Sequence, residues 1–475
     1  MDNREQKNIL TVLFIGVLMG ALDIAIVGPA LPSIRTFFNI PDRALSWIFS
    51  IYVLFNLVGT PLMAKLSDRF GRRSIYILDV ALFALGSLLV VLSPSFPFLL
   101  AGRAIQGFGA GGIFPVASAV IGDTFPPEKR GRALGLIGAV FGLAFIVGPI
   151  IGGVLLSLAN WKWLFIINLP IAVVVIVLAM KALPSRRMEQ SKRFDWLGMG
   201  ILALMLGSLA MSLNQLDTSA FFASLVSARV LPFLIAFIVL LVSFIQVEKR
   251  AENPIIALTL FNRRQLRLAY VLSAGAGFAE AGLVYIAVLA VASLSKYGIN
   301  STNSSWMLMP LVLAMSVGSP LAGRYLDKIG SKNVILFGTA VTVAGFIMLG
   351  LFSSSMGLFI TACALIGLGL SSLLGAPLRY IMLNESTTAE RSVTQGIVAV
   401  FSSTGQLLGS ALTGSIAASV AQSRGTAAGY SLAFMVTGLV AVVLFGLSFF
   451  LKNRASELET VKKNEVEQAA VSQIA

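Results

Sequence analysis

The sequence predicts an all-α membrane protein of fourteen transmembrane helices, built as two pseudo-symmetric six-helix bundles with two extra helices between them. Three observations carry this prediction. Of 475 residues, 57% are hydrophobic and only 12% are charged, about half the charged share of an ordinary soluble domain. The apolar residues fall into runs long enough to cross a bilayer, separated by short polar stretches. Several motifs of the first half recur in the second. This leaves no room for a sizeable soluble domain, which excludes a soluble enzyme, a nucleic-acid-binding module and a secreted scaffold.

The first run, 9–31, follows a basic start and is too long for a signal-peptide core, so it is read as a retained span. Spans 45–64, 74–92, 98–121, 133–156 and 162–181 complete a first bundle within residues 1–190. Two inserted spans, 196–216 and 230–247, lie within 191–255, next to charged linkers from Lys181 to Asp195 and from Glu248 to Arg267. Spans 267–294, 304–323, 333–352, 356–382, 392–420 and 427–451 form the second bundle, 256–455, and 456–475 is a polar tail.

The net charge is +14, and its placement is informative. Basic residues crowd the two terminal segments and every second loop, the last of them 379–391, whereas the other loops hold only Arg35, Arg43, Lys162, Arg229, Lys296 and Arg424. The positive-inside rule then puts both termini in the cytoplasm and requires an even number of spans. The expected location is the plasma (inner) membrane, with several passes. Histidine is absent and Cys363 is the single cysteine, which removes imidazole bases, disulfides and the usual metal clusters. No metal or other cofactor is expected, and no phosphate-binding G-x-x-x-x-G-K-[ST] loop occurs. Proton handling therefore falls to carboxylates, with a proton gradient as the energy source.

Thr60-Pro61-Leu62 followed by Asp68-Arg69-Phe70-Gly71 reappears as Ser319-Pro320-Leu321 followed by Asp327-Lys328-Ile329-Gly330. Arg130, Gly135 and Gly148 fall on Arg391, Gly396 and Gly409. Parallel six-helix repeats of this kind are a signature of one class of secondary transporter.

Ionisable groups are costly inside a bilayer, and only Asp23, Asp79, Arg103 and Glu280 lie clearly within spans. Helix rise places Asp23 and Glu280 about 20 Å from the cytoplasmic side and Arg103 about 8 Å from the outer side of a core about 30 Å thick. Asp23 and Arg103 are expected to pair, which keeps both ionised. Glu280 lies near the repeat-equivalent position of Asp23, with no arginine at the matching place around Ala362. A lone buried carboxylate takes up a proton readily, so Glu280 is a candidate proton carrier. A purely structural role is the competing reading for each of these groups, and Asp79 either reaches the interface or acts within the span.

Two glycine-rich stretches bear on motion. Ser273 to Gly282 suggests a bend beside Glu280, or close helix packing. Gly138, Gly142, Gly148-Pro149 and Gly152-Gly153 suggest a kinked, tightly packed span. The cytoplasmic loop Lys65 to Arg73 holds Asp68 and Gly71, both repeated in the second half. With Asp123 and Arg130 on the neighbouring loop, it suggests a latch that holds one face closed.

These residues resemble those of the major facilitator superfamily, specifically its fourteen-span drug:proton antiporter branch. Ala64-Lys65-Leu66-Ser67-Asp68-Arg69-Phe70-Gly71-Arg72-Arg73 resembles the loop signature between spans two and three. Arg103-Ala104-Ile105-Gln106-Gly107-Phe108-Gly109 is similar to the fourth-span motif, and Gly148-Pro149-Ile150-Ile151-Gly152-Gly153 to the antiporter motif of span five. Leu22-Asp23 with Ala30-Leu31-Pro32, the stretch Trp161 to Pro170, and Phe194-Asp195-Trp196-Leu197-Gly198 resemble further segments of that branch. Ala64 stands where the loop signature opens with glycine, and Ala25 and Gly28 stand where threonine and asparagine are usual.

The resemblance implies alternating access, with export coupled to inward proton flow. It assigns Asp23 and Arg103 to proton coupling. Asp68, Arg72 and Asp123 go to the latch, to which the repeat adds Gly71, Arg130 and Asp327. Gly148, Pro149, Gly152 and Gly153 form the antiporter hinge. The expected cargo is a small amphiphilic or cationic organic compound. Export of a lipid, siderophore or native metabolite, and a transporter-like ligand sensor, are the alternatives. The expected partners are the cargo, protons and the lipid bilayer, with no nucleic acid and a monomeric chain.

Overall fold

The structure, a computed structural model, describes residues 3–40, 42–185, 195–216, 221–252, 254–299, 304–387 and 390–462. Residues 186–194 of the first charged linker and the tail beyond 462 lie outside the described residues. Among the described residues the architecture is helical, without strands. Among the described residues, eleven helices are long and apolar enough to cross a membrane, or twelve if one bent pair is a single span. Of the expected spans, 304–323 and 333–352 merge into one apolar stretch, Trp306–Phe352, 133–156 is not among the eleven, and 267–294 enters only as the bent pair.

The first group comprises α1 (Asn3–Phe38), α2 (Asp42–Phe70), α3 (Arg72–Leu92), α4 (Phe96–Thr124), α5 (Pro127–Leu158), α6 (Trp163–Ile166) and α7 (Asn168–Ala182). Glu5 in the first turn and Arg35 in the last turn of α1 suit the helix dipole. The sharp passage from α2 to α3 is made by Gly71 at φ 93°, a left-handed conformation that favours glycine. Proline in the first turn starts both α4 and α5.

The inserted helices are α8 (Trp196–Asn214), the short α9 (Phe221–Leu225) and α10 (Leu231–Arg250). Asp195 caps α8 by accepting the Gly198 amide at 2.7 Å. α8 packs on α10 and on α2. α10 is largely exposed through Ile235, Ile238, Val239 and Val242, which suits lipid and not water.

The second group comprises α11 (Arg264–Ala281), α12 (Ile286–Leu294), α13 (Met309–Phe352), α14 (Met356–Leu374), α15 (Ala376–Glu385), α16 (Arg391–Arg424) and α17 (Thr426–Ser448). α13 is two helices joined at Gly330, whose φ of 83° repeats the turn at Gly71. The bend expected beside Glu280 falls immediately after it. Ser273 to Ala281 stays α-helical, and the break at Gly282–Tyr285 turns α12 by 41°. α5 remains α-helical through Gly148–Gly153, and the chain breaks instead between α14 and α15, at Gly375 (ψ −132°).

Close packing within each group is made through glycine. A methyl on Gly109 would meet the Asp79 carbonyl at 2.6 Å, and one on Gly409 would meet the Phe278 Cα at 2.7 Å, so α4 approaches α3, and α16 approaches α11, at backbone distance. Two seams join the groups, α2 against α16 and α5 against the first part of α13. The repeat interchanges these seams. On one, Gly323 of α13 lies against Gly131 and Gly135 of α5. On the other, Ala64 of α2 replaces the glycine and faces Gly396, where an added methyl would lie 3.3 Å from the Ala64 Cβ. Gly396 thus makes the space that Ala64 takes up.

Candidate functional site

Asp23 and Arg103 meet inside the first group, Oδ2 to Nη1 at 2.6 Å, and neither side chain has any exposed surface. The pair sits in a polar knot contributed by α1, α3, α4 and α7. Gln106 donates to Asp23 Oδ1 at 2.7 Å and accepts from Arg103 at 2.6 Å. Asn168 donates to the same Asp23 oxygen at 3.0 Å, and Ser87 accepts from both amides at 2.9 and 3.2 Å. The guanidinium lies 4.3 Å from the ring centre of Tyr52 and donates to the Ile48 carbonyl at 3.3 Å. Such a network holds both charges in a low-dielectric interior because both Asp23 oxygens and the Arg103 Nε and Nη1 are engaged, while Nη2 has no acceptor among the described residues. Sequence reasoning missed Gln106, Asn168 and Ser87 as partners, although Gln106 and Asn168 lie inside quoted motifs.

Asp79 does not reach the interface. It is fully buried on α3, neither carboxyl oxygen has a hydrogen-bond partner among the described residues, and it packs on Gly112 of α4. Glu280 is half-buried on α11, and no hydrogen bond or ion pair engages it among the described residues. Ser273 donates to the Val398 carbonyl at 2.9 Å and Gly277 abuts Ser402, so this edge of α11 faces α16. Ala276 and Ala279 are fully buried. Glu280 is not joined to the Asp23 knot.

The latch residues gather at the basic end, where α1 begins and α17 ends. Asp68 pairs with Arg72, whose Nε donates to Asp123 at 3.0 Å and whose Nη1 donates to Ser392 of the second group at 2.6 Å. Asp123 also receives Arg391 at 2.6 Å. The described bond of Arg130 runs to the Phe125 carbonyl at 3.0 Å. The partner of Asp123 across the molecule is thus the repeat copy of Arg130. On the other seam Asp327 accepts the backbone amides of Gly131 and Arg132, both at 3.0 Å. Of the hinge glycines, Gly148 packs against Ala25 of α1, Gly152 is buried, and nothing lies within 4 Å of a methyl placed on Gly153.

Two features of this end were not anticipated. Residues 454–462 are helical after α17. Arg454 there donates to the Asp327 carbonyl at 2.8 Å and to the Tyr380 hydroxyl at 2.7 Å, while Glu457 accepts from the Ser331 amide and hydroxyl. Arg379, assigned by sequence to the loop 379–391, is instead buried in α15, because the helix resumes after Gly375. A separate cleft of about 510 Å³ lies at the far end of α1, lined by Ser33, Thr36, Phe37, Asn160, Trp161 and Lys162. Among the described residues, no group of three or more Cys, Asp or Glu is placed to hold a metal ion.

Two repeated helical units, a buried Asp–Arg knot and a repeat-related latch lead to one comparison. The family model of the Major Facilitator Superfamily matches residues 13–296 and 268–474. The chain belongs to the major facilitator superfamily. Its family and fold are those of a multi-pass membrane transporter. Among curated relatives, the uncharacterized MFS-type transporter YfiU of Bacillus subtilis (strain 168) is 34% identical over 405 residues, 84% of this chain and 77% of YfiU. Multidrug resistance protein 3 of the same organism is 30% identical over 346 residues, 72% of this chain and 66% of its own length. The crystal structure of the human organic anion transporter MFSD10 superposes with a TM-score of 0.68 at 18% identity, covering 94% of this chain and all of the other. That likeness concerns the major facilitator fold alone.

Proposed function

We propose that the chain is a proton-coupled exporter of amphiphilic or cationic organic compounds that works by alternating access in the plasma membrane, with both termini cytoplasmic. The observation that carries this reading is the closure of the basic end by contacts that cross between two repeated halves, Asp123 with Arg391 and Asp327 with the start of α5. Contacts of this type can break and reform as two rigid bodies rock. Relatives named as multidrug transporters support the cargo class.

We place the protein in the fourteen-span branch. Counting α13 as two spans, α11 with α12 as one, and the long α5 as a span completes two bundles of six around α8 and α10. The halves are 1–190 and 256–455. In this reading Asp23, Arg103 and Glu280 handle protons, and the Gly148 to Gly153 segment forms the hinge. Each proton that enters down about 100 mV supplies roughly 2.3 kcal/mol. Protonation of an acid exposed to the cavity loosens its hold on a cationic cargo. No cofactor enters the cycle, and the monomer suffices.

The test is reconstitution of the whole chain into liposomes with an imposed pH gradient and an amphiphilic dye such as ethidium. Gradient-driven dye movement that a protonophore abolishes is expected. Equal dye movement with and without the gradient would refute proton coupling.

A further inference from the structure

Arg379 is buried between the two halves. It is 8% exposed, and among the described residues no carboxylate comes within ion-pair distance. Its Nε has no acceptor among the described residues. The acids of this region are engaged elsewhere: Asp123 with Arg72 and Arg391, Glu385 with Lys452, Glu390 with Arg263. A guanidinium left so at membrane depth is expensive, and such groups face a pathway more often than lipid.

Its surroundings belong to both halves. Gln395 of α16, fully buried, accepts from Arg379 Nη1 at 3.2 Å and donates back to the Arg379 carbonyl at 2.8 Å. From the first half, the Phe114 ring covers the guanidinium with its centre 3.7 Å away, and it is itself propped edge-on by Phe141 at 5.2 Å. Arg379 also lies in the first turn of α15, which restarts after Gly375 with no side chain capping it. The dipole of that helix start adds to the positive potential.

From this arrangement we infer that Arg379, with Gln395 and the start of α15, is a binding subsite for the anionic group of an amphiphilic cargo. The inference rests on the alternating-access reading and adds anionic amphiphiles to its cargo class. When the halves part at the basic end, Phe114 leaves with the first half and the guanidinium faces the entering compound. When they close, the ring takes back the position and the anion is expelled. Arg379 is the capturing residue and Phe114 the displacing one.

Isothermal titration of the full chain in phosphatidylcholine nanodiscs tests this, with laurate and dodecyltrimethylammonium as probes of equal tail and opposite charge. Wild type is expected to bind laurate, and Arg379→Gln to weaken it about tenfold or more, with a smaller loss for Arg379→Lys. Dodecyltrimethylammonium affinity is not expected to fall. Gln395→Glu would set a carboxylate against the guanidinium, so it should abolish laurate binding in a chain that still folds. This second variant decides the matter if Arg379→Gln misfolds. Equal laurate affinity in wild type, Arg379→Gln and Gln395→Glu would overturn the inference. Loss of laurate binding when phosphatidylglycerol is added to the discs would also overturn it, in favour of a lipid headgroup as occupant. These titrations use no gradient, so a protein that pumps ethidium yet fails them defeats the subsite and not the transport reading.

Discussion

Asp123 on α4 accepts Arg391 of α16 at 2.6 Å, while its other oxygen holds Arg72 at 3.0 Å, so one carboxylate ties three helices from both halves at the basic end. The charges are mostly shielded, which makes the contact stronger than an exposed surface pair.

Arg391→Ala should therefore loosen this face. Losing a charge-assisted bond of about 1.5 kcal/mol raises the open population about tenfold. In a Cys363→Ser background, cysteine at Ala64, a buried position on the α2 seam, should react with maleimide about tenfold faster once Arg391→Ala is added. An unchanged rate would mean that Arg391 does not hold the seam.

The two buried aspartates should respond differently to amidation. Asp23→Asn leaves Arg103 charged and without its carboxylate, a loss of about 3–5 kcal/mol for a broken buried pair. Among the described residues Asp79 balances no cation and its oxygens have no partner to lose, so Asp79→Asn should change stability by about 1 kcal/mol or less. Thermal unfolding in detergent, compared between the two variants, checks the order. A larger drop for Asp79→Asn would show that it has a partner after all.

Glycine substitutions should separate the seam from open helix. A methyl on Gly135 would lie 2.9 Å from the Ser319 carbonyl oxygen and 3.0 Å from the Gly323 Cα. Gly135→Ala should cost about 1–3 kcal/mol through overpacking. Gly153→Ala meets nothing within 4 Å and should stabilise by up to about 1 kcal/mol through helix propensity. Melting temperatures of the two variants, moving in opposite directions, are the expected readout.

What the sequence made legible follows from what each residue type must do. Two opposite charges inside a bilayer have to find each other, so Asp23 and Arg103 could be paired from depth alone. Their amide and hydroxyl partners were not legible, because Gln106, Asn168 and Ser87 carry no charge and stand in apolar runs like any packing residue. The latch was legible as a cluster but not in its pairing. Arg130 and Arg391 are copies, and only the crossing of the two halves brings the distant copy to Asp123. Arg379 was lost to the expectation that basic residues near a span end lie in a loop. The Gly375-Ala376-Pro377 step, a break followed by a helix-starting proline, was the signal that could have placed it within a helix. The helix from 454 to 462 has no strong apolar pattern, so its docking on Asp327 and Ser331 emerged only in three dimensions.

Glu280 carries the central claim, that proton entry through membrane-embedded acids drives cargo outward. It lies within a span of the second half, and no ion pair engages it among the described residues. The most direct measurement is simultaneous recording of internal pH and dye content in liposomes holding wild type or Glu280→Gln. Wild type should show proton entry in step with dye movement. Glu280→Gln, correctly folded, should lose the proton signal and at least about tenfold of the gradient-driven dye flux, the effect of about 1.4 kcal/mol or more. Proton and dye fluxes of wild-type size in Glu280→Gln would contradict the account.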